Sequence, residues 1–202
     1  MIAIIDYGVG NLFSLARSLD YLGLESCVTR DGEVIRSAER IILPGVGAFG
    51  DAVRKLEETG LVELIKSEAA GGKPLLGICL GMQMLLEKSF EFGEWEGLGL
   101  IPGSVCPLAD DLPADKKVPH IGWNSLTFPK ESPLFKYNRE GDYVYFVHSF
   151  YGKDCAESTV ALTDYGIPVT AAVQRDNVFG AQFHPEKSGE AGLRILKAFS
   201  EV

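Results

Sequence analysis

The sequence predicts an open, mostly parallel twisted sheet flanked by helices, with a mixed or antiparallel extension. Three observations predict it. Up to residue 93 short apolar runs alternate with amphipathic stretches of helix length, glycine-bearing turns follow several of those runs, and beyond residue 93 prolines and short β-rich runs replace the helices.

Residues 1–5 form a continuous apolar run, the pattern of a central parallel strand buried on both faces. The turn 6–11 follows, and its last residue, Asn11, is suited to cap a helix. Leu12, Leu15, Ala16, Leu19 and Leu22 recur at helical spacing, and Gly23 stands where a left-handed terminator is wanted. Residues 24–29 and 40–43 predict two further strands, and 44–50 a rigid glycine-bearing loop. Helices are predicted over 51–58 and 61–70, then a strand beginning Pro74-Leu75-Leu76, then a helix over 82–88. The later runs 117–124, 143–151, 158–163, 169–174 and 178–183 predict strands that extend the same sheet, and 191–199 a closing helix. No repeat, low-complexity tract or linker divides the chain, so one domain over 1–202 is expected.

A formal net charge of -9 opposes a broad nucleic-acid surface. No stretch approaches the ~18 apolar residues of a membrane span, and the N-terminus lacks a signal pattern. Cys27, Cys79, Cys106 and Cys155 are scattered without a CxxC pair, which points to a reducing, cytoplasmic setting.

Chemistry concentrates at Gly77-Ile78-Cys79-Leu80-Gly81, a strand-to-helix turn in which flanking glycines allow a strained backbone and leave a thiol exposed above the sheet. A cysteine among apolar residues is ordinarily a small buried hydrophobe; this turn argues for a nucleophile. An ordinary thiol, with a pKa of about 8.5, needs a base. His184 in Phe183-His184-Pro185-Glu186 also follows a strand, and in an extended segment Glu186 points the same way and can fix the imidazole tautomer. Cys79, His184 and Glu186 therefore read as a triad. The Leu80 N–H is placed to hold an oxyanion, and the glycines of Pro44-Gly45-Val46-Gly47 permit a second donor to approach. Gly8-Val9-Gly10 lacks the third glycine of a dinucleotide fingerprint, Gly45-x-Gly47 lacks the Lys-Ser/Thr of a phosphate loop, and the histidines lack metal-ligand spacing, so neither cofactor nor metal is expected.

These motifs, with Pro119-His120-Ile121-Gly122-Trp123-Asn124 and Tyr145-Phe146-Val147-His148-Ser149-Phe150, resemble the class I (triad-type) glutamine amidotransferases, a flavodoxin-like fold family. Within that class the resemblance is nearest to the glutaminase subunits of imidazole glycerol phosphate synthases, and it covers essentially the whole chain. It implies hydrolysis of L-glutamine by Cys79, His184 and Glu186. It also implies substrate contact by Gln83 and by the backbone of Ser149 and Phe150, and an oxyanion site from Val46, Gly47 and Leu80. Ser149-Phe150 stands where other members carry Thr-Tyr, a change of no consequence if the backbone makes the contact. A partner is implied as well: a (β/α)8-barrel cyclase subunit, contacted near Asn11, His120, Trp123 and Lys187. Ammonia passes to it to form imidazole glycerol phosphate and aminoimidazole carboxamide ribonucleotide in histidine biosynthesis. The glutaminase of pyridoxal 5′-phosphate synthase would carry Gly-Gly-Glu-Ser where this chain has Pro44-Gly45-Val46-Gly47. A thiol esterase or peptidase shares the triad, and a non-catalytic scaffold would have no reason to keep all three of its residue types.

Overall fold

In the computed structural model, which describes residues 1–202, the chain begins with β1 (Ile2–Ile5), α1 (Leu12–Tyr21), β2 (Ser26–Thr29), α2 (Gly32–Ser37), β3 (Arg40–Gly45), α3 (Phe49–Glu58) and α4 (Val62–Ala70). There follow β4 (Leu75–Cys79), α5 (Leu80–Leu85), β5 (Lys88–Ser89), β6 (Trp95–Glu96), β7 (Ser104–Pro107), β8 (His120–Thr127), β9 (Tyr143–His148) and β10 (Phe150–Lys153). The last elements are β11 (Thr159–Asp164), β12 (Pro168–Arg175), β13 (Val178–Ala181) and α6 (Gly189–Phe199).

Nine strands form one sheet in the order β2-β1-β3-β4-β13-β12-β11-β8-β9. From β2 to β13 neighbours run parallel; from β13 outward they are antiparallel. Alternation decides which face each side chain serves. Ile2 and Ile4 join one buried cluster, with Leu15 and Leu19 of α1 and Ile195 and Leu196 of α6. Ala3 and Ile5 join another, with Ile35, Leu56 and Ile65 from α2, α3 and α4. Each fully buried aliphatic side chain contributes roughly 1.5–3 kcal/mol, so the continuous apolar runs drive the two-sided packing.

The chain departs from expectation in several places, and the short strands β5, β6 and β7 answer to no expected run. The segment 32–37, too short to show helical periodicity, forms α2, capped by Asp31 accepting from the Glu33 N–H. The helix expected over 82–88 is displaced to Leu80–Leu85. Its last carbonyls, from Met84 and Leu85, are taken by the N–H groups of Leu98, Leu100 and Ile101, and Leu86 turns extended. The run 143–151 breaks at Ser149, so β10 leaves the main sheet and joins a second one, β10-β7-β5-β6. Asn11 makes no capping bond; its amide goes elsewhere, as described below. By contrast Gly23, at φ +70, closes α1 as expected, with Leu24 N–H reaching back to Leu19 O and Gly23 N–H to Asp20 O. No helix is long and apolar enough to cross a membrane.

Candidate active site

The parallel registers bring three strand ends together. Gly45 of β3 lies opposite Cys79 of β4, and Ile78 lies opposite Ala181 of β13, three residues before His184. Ligand sites of open α/β sheets gather beyond such carboxyl ends. Here a cleft of about 320 Å³ is lined by Val46, Gly47, Cys79, Leu80, Gln83, Glu91, Pro119, Val147, His148, Ser149, Phe150 and His184.

Cys79 has φ 55 and ψ -111, a sparsely populated conformation for a residue with a side chain, costing on the order of 1–3 kcal/mol. The glycines around it work differently from expectation. Neither Gly77 nor Gly81 has positive φ; each permits backbone to touch backbone. A Cβ on Gly77 would lie 2.6 Å from Gly81 O, and one on Gly81 would lie 1.8 Å from Leu43 O. The strain is therefore carried by Cys79 while the glycines seat α5 directly on β3. Nor does the thiol stand exposed above the sheet: Cys79 is 7% exposed, at the floor of the cleft.

His184 Nδ1 lies 2.8 Å from Glu186 Oε1, and both side chains are 2% exposed. The segment is not extended as expected: Pro185–Lys187 forms a 3-10 turn, and that turn swings the carboxylate back onto the ring. Asn11 Nδ2 donates to the same oxygen at 3.3 Å, so the loop after β1 braces the pair. Burial lowers the pKa of His184, but its interactions with the Cys79 sulfur and the Glu186 carboxylate outweigh this and bring it up to about 9. His148, the other imidazole on the cleft, is pulled by burial down to about 3, although Nδ1 faces Phe150 O at 2.9 Å. Only His184 has a carboxylate partner, so it is the ring equipped to exchange a proton with Cys79.

The sign of the His184 shift fixes a pH window. Its pKa rises from the ordinary 6.5 to about 9, so the stability it contributes is fully present below about pH 6.5 and is lost as pH rises through 9. An NMR titration of the imidazole resonances is expected to show a midpoint for His184 near 9. A midpoint at the ordinary value would contradict the buried ion-pair geometry.

Gln83 Nε2 donates to Phe150 O at 2.9 Å and to Gln182 Oε1 at 3.1 Å. Gln182, fully buried, in turn points Nε2 at Cys79 Sγ, 3.8 Å away. Gln83 Oε1 carries no hydrogen bond within the chain, and Gln83 lines the cleft. Ser149 and Phe150 line the wall with their carbonyls already engaged, Ser149 O by the Leu108 N–H and Phe150 O by Gln83. Val46, also on the lining, is 39% exposed, and Gly47 has φ +94. Two residues of this site carried no sequence signal. Gln182 was visible only as part of the run into His184, and Glu91 not at all. Glu91 Oε2 accepts the Phe49 N–H at 2.7 Å; burial raises its pKa, partly opposed by that bond.

Of the residues expected at a partner contact, Trp123 is 52% exposed, and Lys187 is exposed with its ammonium over the Tyr145 ring. Asn11 is half-buried, tied to Glu186. His120, expected with them, presents no surface of its own. It is fully buried, stacked between Phe146 and Tyr165 and bonded to His148 and Asn124, because its side of β8 faces the sheet interior.

A strained cysteine at a strand end, facing a histidine that is paired with a glutamate, makes a cysteine acyl-transfer site on an α/β sheet. Solved structures share the fold: a glutamine amidotransferase at TM-score 0.76, with 18% identity and 99% of this chain and 100% of that one covered, and PurLQS from Thermotoga maritima at TM-score 0.76, with 22% identity and 99% and 97% covered. The chain belongs to the glutamine amidotransferase class-I family, whose model matches residues 3–201. Within that class it belongs with the HisH subunits of imidazole glycerol phosphate synthase. It is 53% identical to that of Caldanaerobacter subterraneus subsp. tengcongensis, over 100% of this chain and 98% of the relative. It is 49% identical to that of Methanothermobacter thermautotrophicus, over 100% and 98% respectively.

Proposed function

We infer that this chain is the glutaminase subunit of an imidazole glycerol phosphate synthase, releasing ammonia from L-glutamine for use by a cyclase subunit. The observation that carries this reading is the buried Glu186–His184 pair set beside the strained Cys79, at the floor of a cleft of about 320 Å³, large enough for one amino acid.

With the proton of the pair already on His184, Cys79 Sγ attacks the side-chain carboxamide carbon of glutamine. Negative charge gathers on the carbonyl oxygen, where the Leu80 N–H and the Val46–Gly47 peptide are the available donors. His184 then protonates the departing nitrogen, ammonia leaves, and a thioester remains on Cys79. Water, deprotonated by the same imidazole, attacks the thioester, and glutamate departs with the thiol restored. Glu186 holds the ring orientation and stabilises the imidazolium. Glu91, the carboxylate lining the cleft, is the counter-ion for the substrate's α-ammonium, and Gln83 Oε1 accepts from substrate N–H. The substrate carboxylate lies against the Ser149 and Phe150 backbone.

The ammonia passes to a (β/α)8-barrel cyclase, docked on the edge of the sheet where Ile121, Trp123 and Tyr143 are 57%, 52% and 59% exposed. Lys187 and the Asn11 loop lie beside this face. All four cysteines are free thiols, which suits a reducing cytoplasm.

Mixed with the barrel subunit and its ligand, the chain is expected to convert glutamine to glutamate, and 6-diazo-5-oxo-norleucine to label Cys79. In the same assay Glu91→Gln should raise KM about 10- to 100-fold with little change in kcat, the loss of a charge-assisted bond. A complex that makes product from ammonia but releases no glutamate would overturn the reading.

A further inference from the structure

We propose that Tyr7 is a positioning residue for the glutaminase reaction: through the Pro44 carbonyl it sets where the Val46–Gly47 peptide stands relative to Cys79. The proposal rests on the glutaminase reading of the cleft.

Tyr7 sits just beyond β1, 3% exposed, and its hydroxyl donates to Pro44 O at 2.7 Å with Met84 Sδ 3.7 Å away. Pro44 is the penultimate residue of β3, just before the cleft loop. The same turn grips it from a second side, since a Cβ on Gly10 would lie 3.3 Å from both Cβ and Cγ of the Pro44 ring. Gly45 then threads a gap that admits no side chain. A Cβ there would meet Tyr7 Oη at 2.7 Å, Gly81 N at 2.9 Å and Leu80 Cβ at 3.0 Å. The phenol thus packs the entry to the loop against the first turn of α5, where the Leu80 N–H lies.

Past Gly45 the restraint ends. Val46 is 39% exposed, and Gly47, at φ +94, has nothing within 4 Å of where a Cβ would stand. The loop is divided into a pinned half, 44–45, and a free half, 46–47, and only the free half lines the cleft. Without the hydroxyl, Pro44 O is a buried acceptor lacking its tyrosine donor, and the free half loses an anchor at its base. A shift of about 1 Å in a group that must meet a developing charge costs up to about 100-fold in rate. Because the Val46–Gly47 peptide is asked to meet only the charge that develops on the reacting carbonyl oxygen, that cost falls on kcat and not on KM.

The test uses the complex of the full chain with its barrel subunit. Tyr7→Phe, which keeps the ring and removes the donor, is expected to lower kcat for glutamine hydrolysis about 10-fold or more with KM within about twofold. Ammonia-dependent product formation should be unchanged. Labelling of Cys79 by 6-diazo-5-oxo-norleucine, a glutamine mimic, should slow in parallel, whereas alkylation by iodoacetamide, which needs no oxyanion donor, should not. Met84→Leu alters the other neighbour of the hydroxyl without touching the Pro44 bond, and should leave kcat at the parent value. Parent-like kcat in Tyr7→Phe overturns the proposal, as does an equal loss in Met84→Leu or a loss seen only in KM. A parent complex that releases no glutamate overturns the glutaminase reading instead.

Discussion

Cys79→Ala is expected to reduce glutamine-dependent product formation by the complex at least about 10⁴-fold while ammonia-dependent formation stays near the parent rate. The reason lies in what else the cleft holds. Ser149 is the only other hydroxyl or thiol on its walls, and its backbone belongs to the β9–β10 junction, with no imidazole assigned to it. His148, which burial keeps neutral, has both ring nitrogens committed, to Phe150 O and to His120. Removing one sulfur therefore leaves no substitute nucleophile. The substitution is gentle on the fold, because alanine keeps the Cβ that already tolerates φ 55. Steady-state assays with glutamine and with ammonium salts make the comparison. Equal loss with both nitrogen sources would show that the site is not where ammonia is released.

The parallel half of the sheet was legible because its signals are local: apolar runs of strand length, helical spacing in α1, and Gly23 where the helix had to end. The triad was legible for the same reason, each member lying within a few residues of a strand end. What escaped depends on distant chain segments meeting. Glu91 reaches the cleft only because the small second sheet folds over α3, where its carboxylate takes the Phe49 N–H. The end of α5 is decided by the 98–101 segment capturing carbonyls, which no propensity within the helix foretells. His120 was expected beside Trp123 at the partner contact, yet in a strand adjacent residues face opposite ways and alternate residues the same way. Trp123 and Ile121 share the outer face, so His120 must turn inward. Asn11, suited to a cap by type, is drawn instead to the buried carboxylate of Glu186, where its amide relieves a larger desolvation cost.

The glycines of the elbow carry the second large expectation. Gly81→Ala should cost more than about 4 kcal/mol of stability or prevent folding outright. Its added Cβ would fall 1.8 Å from Leu43 O, 2.9 Å from Leu43 C and 3.3 Å from Pro44 C. None of these atoms can step aside as the end of a long side chain could. Leu43 lies in β3, hydrogen-bonded within the sheet between β1 and β4, so relief requires moving a central strand or lifting α5 off it. Lifting α5 would carry Leu80 and Gln83 with it, and any molecule that did fold would lose kcat as well. Gly60→Ala is the control that isolates this cause. Gly60 has φ +71 with nothing within 4 Å of its Cβ position, so alanine there meets only backbone strain, roughly 1 kcal/mol. Urea unfolding of the parent and both variants distinguishes the two costs. A Gly81→Ala midpoint close to that of Gly60→Ala would mean that β3 and the elbow helix can separate freely. In that case close backbone contact would not be what holds Cys79 in its strained conformation.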